Sequence, residues 1–271
     1  MAQSANPQVV IVGAGPAGML LAYQLVTNGV RVRVLERHPD FEREFRGELI
    51  QPAMLASLEK FGLLPMLGER KLAMTEIERR MFVGLTRRVM VPGGKERGAL
   101  ISQPGFLGLL HELCSRHPTY QLDFGTTALE AVREGGRVVA VKTRREGREE
   151  RVEGDVFFAC SGRSTGLRKD VGAEVLDFQI PANVLWLRFD FSDAPRLLPA
   201  GVDVHMYGKG VVTVFTPTTR SRLQVAYSAP GDLGALRKNL PELRRQLLPT
   251  IPEPLRSAID AKLNENTESS S

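Results

Sequence analysis

The run QVVIVGAGPAGMLLAYQLVTNGVRVRVLE, from Gln8 to Glu36, leaves the chain few choices of fold. Gln8 to Val12 is a short β-branched stretch without polar alternation, the pattern of a strand buried on both faces, and it stops at a glycine. Helical spacing follows at once, with Pro16 in the first turn and Gly29 just past the end. VRVRVLER then alternates as a second strand and finishes at Glu36. Strand, helix and strand at this spacing make a compact βαβ unit.

Between the first strand and the helix lies Gly13-Ala14-Gly15-Pro16-Ala17-Gly18, a G-x-G-x-x-G loop. The first glycine permits a tight turn, the second lets backbone N–H groups approach a pyrophosphate, and the third lets helix and strand pack closely. The helix start adds its partial positive charge. Glu36 is positioned to accept a hydrogen bond from an adenosine ribose 2′-OH, and Arg37 beside it joins the expected cofactor contacts. A carboxylate there repels a 2′-phosphate, which favours FAD or NAD over NADP.

At 271 residues, 42% hydrophobic and 25% charged, the chain is long and apolar enough for one large domain or two joined ones. The net charge of +5, mostly from arginine, suits an anionic ligand. Nucleic acid is not indicated, because the basic residues are dispersed and no zinc finger, basic arm or aromatic-studded RNA motif accompanies them. Two cysteines without a CxxC and four histidines without paired-ligand spacing point to neither a disulfide framework nor a metal site. No basic residue precedes the opening apolar run, and its glycines interrupt it, so neither a signal peptide nor a membrane span is expected. The expectation is a soluble protein of the reducing cytoplasm.

Further along, PAMLASLEKFGLL has helical periodicity, TEIERRMFVG and RRVMVPGG read as strands joined through Gly84, and PGFLGLLHELCSRH reads as a helix. Strand-like pieces continue to VFFACSG, with the charged KTRREGREER marking a hairpin tip around Gly147. Beyond residue 183 four consecutive strand signals read as an antiparallel meander. An amphipathic helix interrupted at Pro241, one more helix in EPLRSAIDAKL and a disordered polar end, NENTESSS, complete the expectation.

The opening segment resembles the start of the FAD-dependent monooxygenases of the para-hydroxybenzoate hydroxylase type, which act on aromatic and polyketide-like compounds. FRGELIQPAMLASLEKFGLL is similar to the family segment whose arginine reaches the cofactor pyrophosphate, and Arg46 matches it. ISQPGFLGLLHEL is similar to the segment whose glutamine touches the ribityl chain, which is Gln103 here. GDVFFACSGRSTGLRKDVG resembles the second long motif, with Gly162, Arg163 and Arg168 matching and Ser161 where the family usually carries aspartate. The resemblance covers residues 8 to about 230. The family's third motif, a Gly-Asp pair facing the flavin, has no counterpart after Leu176.

The resemblance implies an α/β fold: a glutathione-reductase-type FAD/NAD(P)-binding Rossmann domain interleaved with an antiparallel-sheet substrate domain. The boundaries expected are 1–74 with 100–176 for the FAD domain and 75–99 with 177–250 for the substrate domain, then a helix and tail over 251–271. It also implies NAD(P)H as a transient reductant, a flavin hydroperoxide as oxidant and a small-molecule substrate. Trp186, Arg188, Phe189, His205, Tyr207 and Phe215 lie on strands that roof the substrate in the family, though alternation lets only about half face inward. The alternative expectation is a truncated, non-catalytic module holding the ADP half of FAD or no cofactor. The sequence leaves catalytic residues, substrate identity and oligomeric state unassigned.

Overall fold

The computed structural model describes residues 8–42, 49–89, 98–162, 166–174, 176, 183–218 and 221–268. In chain order the first elements are β1 (Gln8–Val12), α1 (Pro16–Thr27), β2 (Arg31–Leu35), β3 (Leu49–Ile50), α2 (Pro52–Lys60), α3 (Leu63–Glu69), β4 (Ala73–Ile77), β5 (Arg79–Val83) and β6 (Arg87–Val89). Next come β7 (Gly98–Ile101), α4 (Gln103–Cys114), β8 (Tyr120–Asp123), β9 (Thr126–Glu134), β10 (Arg137–Arg145), β11 (Arg148–Glu153), β12 (Val156–Ala159) and α5 (Leu167–Asp170). The last are β13 (Leu185–Asp190), β14 (Val202–Met206), β15 (Val212–Pro217), β16 (Arg222–Ser228), α6 (Leu233–Lys238), α7 (Leu240–Leu247) and α8 (Leu255–Glu268). They form two units, residues 1–44 with 103–178 and residues 45–102 with 179–271.

In the first unit the expected βαβ opening is present and extends into an all-parallel sheet of order β12-β1-β2-β8. β1 is central: Val9 pairs with Val156 on one side and with Val32 on the other. Both of its faces are buried, which explains the unbroken apolar run. α1 and α4 pack on one another, burying Met19, Ala22 and Val26 of one and Leu107, Leu110 and Leu113 of the other. An antiparallel meander of order β11-β10-β9 buries Val141 and Val152 together with Val10, Val12 and Leu35 of the sheet. Its hairpin tips sit at Gly135-Gly136 and at Glu146-Gly147, all with positive φ, and the second is where the charged run placed a turn.

The second unit is built on a six-stranded sheet of order β13-β16-β15-β14-β5-β6. Neighbours are antiparallel except β14 and β5, which pair in parallel from Val202 against Arg79. This is the expected joining of an early strand to the late meander, and Gly201 makes it possible. A Cβ at Gly201 would stand 2.2 Å from Glu78 O. One face carries Leu185, Phe189, Phe215, Leu223, Val225 and Tyr227 against Leu236, Leu243, Leu247, Ile259 and Leu263 from α6 to α8. A small antiparallel sheet of order β3-β7-β4 adds a second core of Ile77, Leu100 and Val202.

The structure differs from the sequence reading at four points. Residues 49–74 lie in the second unit, because α2 and α3 pack on each other and on β7 and β4. The segment after residue 250 also belongs there, since α8 contributes Leu255, Ile259 and Leu263 to the helix-covered core. Helix α8 continues as far as Glu268, through much of the segment read as disordered. The break between α6 and α7 falls at Asn239, whose side chain accepts from Glu242 N–H at 3.2 Å, so that Pro241 sits harmlessly in the first turn of α7.

Two substitutions weigh the second unit's core. Phe215→Ala removes a ring that is 1% exposed and is expected to cost about 3–5 kcal/mol. Asp232→Ala removes the α6 cap, which accepts from Gly234 N–H at 2.8 Å and Ala235 N–H at 3.1 Å, for about 1 kcal/mol. Urea unfolding of the two variants should separate in that order.

Candidate dinucleotide-binding site

The site begins where β1 stops. Gly13 has φ +105°, and its N–H donates to Leu35 O at 2.8 Å, which ties the loop to the end of β2. A Cβ at Gly13 would lie 2.6 Å from Cys160 O, so the loop also runs hard against the segment after β12. Gly18 is equally constrained, its hypothetical Cβ falling 2.0 Å from Gly13 O. Gly15 is different: it is extended, it precedes the first turn of α1, and a Cβ there would meet nothing within 4 Å. Two glycines thus serve packing within the protein, and one keeps open the space in front of the helix.

That space is a cleft of about 460 Å³ at the edge where the parallel strands end. Of the residues singled out in sequence, Gly13, Gly15, Pro16, Ala17, Glu36, Arg37, Gln103, Ser161 and Gly162 line it. Ala14 is fully buried behind the loop, and Gly18 is buried in the helix packing. Arg46 and Arg163 lie outside the described residues.

Glu36 is 3% exposed. Its Oε2 accepts from Ala14 N–H at 2.7 Å and its Oε1 from His38 N–H at 3.0 Å. Arg37 donates from Nε to His38 Nε2 at 3.2 Å. At the other wall, Gln103 Oε1 and Ser161 Oγ are buried and have no hydrogen-bond partner among the described residues. Two such acceptors on one cleft are costly unless a ligand or water supplies donors.

Sequence reasoning missed Thr126, Thr127, Ala128 and Cys160, which also line the cleft. The first three open β9, and Thr126 N–H donates to Glu36 O at 2.8 Å. Their signal was positional: they follow β8, which runs parallel to β2, so they emerge at the same edge as Glu36. Burial pushes the Cys160 thiol up, which disfavours its thiolate.

The strand candidates of the second unit separate by face. Phe189 and Phe215 lie in the helix-covered core, and Leu185 and Leu187 share their face, so Trp186 and Arg188 point the other way. His205 is buried, stacked on Phe82 at 4.5 Å, with Nδ1 2.9 Å from Gly84 O. Tyr207 donates its hydroxyl to Thr250 O at 2.7 Å.

The family described as FAD binding domain matches residues 6–232, and the chain belongs to it. Among characterised relatives, it is 27% identical to 6-methylpretetramide 4-monooxygenase of Streptomyces rimosus, covering 97% of this chain and 63% of that protein. It is 29% identical to a probable NADH-specific resorcinol 4-hydroxylase of Rhodococcus jostii (strain RHA1), over 70% of this chain and 37% of that one. The fold matches p-nitrophenol 4-monooxygenase PnpA from Pseudomonas putida DLL-E4 with a TM-score of 0.76 and 22% identity, over 93% of this chain and 65% of PnpA. The chain thus spans less than two thirds of the length of each of these relatives. Among the described residues, no helix is long and apolar enough to cross a membrane.

FAD is the cofactor of this family, and the cleft fits it. The open face at Gly15 admits a pyrophosphate to the helix start, and the orphaned oxygens of Gln103 and Ser161 suit a polyhydroxylated chain of donors.

The differing roles of the glycines give a test. Gly15→Ala should change folding stability by less than about 1 kcal/mol and abolish tight FAD binding, because its methyl enters the cleft. Gly18→Ala should lose about 1–3 kcal/mol or more of stability, because its methyl meets a backbone carbonyl. Thermal melting without ligand, followed by FAD titration, checks both.

Proposed function

We propose that this protein is an FAD-dependent monooxygenase that hydroxylates an aromatic or polyketide-like small molecule with NAD(P)H as reductant. The observation that carries the reading is the cleft at the end of the parallel strands. It offers a glycine loop opening on a helix N-terminus at one end and, at the other, two buried acceptors without partners among the described residues. Similarity to 6-methylpretetramide 4-monooxygenase over 97% of this chain supports the polyketide-like substrate class. The resorcinol hydroxylase similarity supports a phenolic compound and NADH. A cytoplasmic location suits the two free cysteines.

In this reading Gly15, Pro16 and Ala17 form the wall against which the pyrophosphate lies, with the α1 dipole behind it. Gly13 and Gly18 hold that wall in place, and Ala14 ties it to Glu36. Glu36 and Arg37 border the adenosine end, while Gln103, Ser161 and Gly162 border the ribityl end. Arg46 is assigned to the pyrophosphate by family resemblance. Bound FAD supplies the chemistry of passing electrons from reduced nicotinamide to dioxygen and one oxygen atom to the substrate. The protein's share is binding, orientation and exclusion of water, so no metal set or nucleophile is called for.

Purified protein incubated with FAD and freed of excess by gel filtration should carry flavin absorbance. Its oxidation of NADH or NADPH should rise when resorcinol or another electron-rich phenol is added. A protein that stays colourless, and oxidises neither nucleotide, would refute the reading and favour the non-catalytic module.

A further inference from the structure

We propose that the free edge of β12, with the cavity beside it, is a docking groove for another polypeptide. The occupant is an extended apolar segment that adds a strand to the sheet and carries an acidic residue where it passes Arg137. This goes beyond the reading of the dinucleotide cleft and does not rest on it.

The sequence of β12 and its place in the sheet disagree. Val156-Phe157-Phe158-Ala159 is an unbroken apolar run, the pattern of a strand covered on both faces inside a parallel sheet. β1 has the same pattern and is covered in that way. β12 is instead the last strand of its sheet and pairs with β1 alone. Val156 is 43% exposed and Phe158 38%, on the face that also carries Val9 and Ile11. Among the described residues, no backbone group bonds to the outer side of β12.

The opposite edge of the same sheet, β8, is finished differently. Tyr120 Oη lies 3.1 Å from His111 Nδ1, and Asp123 accepts from Arg33 Nε at 2.6 Å and from Gln121 Nε2 at 3.0 Å. Charged and bonded side chains blunt an edge against a further strand, whereas a bare aromatic and aliphatic edge invites one.

Beside β12 lies a cavity of about 380 Å³, walled by Val12, Val138, Val141, Phe157 and Leu167. A strand laid along β12 would send alternate side chains into it and the others over Val156 and Phe158. The charged groups at the cavity are Asp155, Arg137 and Arg168. Asp155 is engaged by Gln8 N–H at 2.7 Å, while Arg137 has no ion pair among the described residues. The balance is positive, which is what selects an acidic residue on the incoming segment. A second copy of this chain fits the groove less well. Two-fold pairing of identical edges would bring together two cavities of the same lining and charge, filling neither.

The test uses the full chain and a fluorescein-labelled peptide, an aspartate followed by alternating valine and leucine, read by anisotropy. Saturable one-to-one binding is expected, with amide hydrogen exchange slowed at residues 156–159 and unchanged at 120–123. Of two peptides methylated on odd or on even backbone nitrogens, one should bind at least about tenfold more weakly and the other nearly as well, since a strand pairs through one edge. Phe158→Lys, at an exposed position, should weaken the peptide at least about tenfold, and Val156→Lys replaces it if that variant does not fold. Arg137→Glu should reverse the preference for aspartate over lysine as the first residue of the peptide. Absence of saturable binding, indifference to both methylation patterns, or protection at residues 120–123 overturns the proposal. So does a concentration-dependent dimer of the free chain that Phe158→Lys dissolves, which would assign the edge to a second copy.

Discussion

Everything in the first unit follows from parallel pairing on both sides of β1. Strands that run the same way end on the same side, so the loop after β1, Glu36 after β2, the opening of β9 after β8 and Ser161 after β12 meet at one edge. Parallel neighbours require a crossover, and the β1-α1-β2 crossover delivers a helix N-terminus to that edge as well. Gly13 and Gly18 are required by this convergence, since no side chain fits between the loop, the helix and Cys160.

The polar groups at the edge divide into satisfied and unsatisfied sets. Glu36 is buried and holds two backbone N–H donors, so it serves the architecture before any ligand arrives. Gln103 Oε1 and Ser161 Oγ have no hydrogen-bond partner among the described residues, a cost that donors from a ligand or water would offset. The cleft combines a glycine loop at a helix start with polar side chains such as Glu36, Gln103 and Thr126, which describes a site suited to binding and orientation. That division of labour suits a protein whose cofactor supplies the reactivity.

The second unit obeys a different rule. Its sheet is antiparallel but for one parallel junction, and one face is covered by α6 to α8. Alternation then decides which side chains are structural: Phe189 and Phe215 go to the core, while Trp186 and Arg188 take the opposite face. His205 and Tyr207, which looked available on the strand, are engaged by Phe82 and Gly84 and by Thr250.

Local patterns made much of this legible. The apolar run, the spaced glycines, Pro16 and the acid at the end of the second strand identify the βαβ opening, because each meets a backbone demand within a few residues. Gln103 and Ser161 were reachable only through resemblance, since nothing local marks them. Thr126 to Ala128 and Cys160 escaped notice because their place at the cleft depends on which strands pair, not on their neighbours in the chain. Domain membership of residues 49–74 and 251–268 was likewise hidden, as amphipathic helices show that a face is buried and not against what. By itself, then, the sequence determined the phosphate-cradling loop, the chemistry at its end and the parallel character of the strand before it. These are short-range matters of backbone conformation and periodicity. Tertiary structure alone decided that Glu36 binds the loop, that two residues at the cleft bury oxygens without partners among the described residues, and which strand residues are core. Those outcomes depend on pairings between separate segments, from Val9 with Val32 and Leu185 with Tyr227 to Val9 with Val156, which no local pattern encodes.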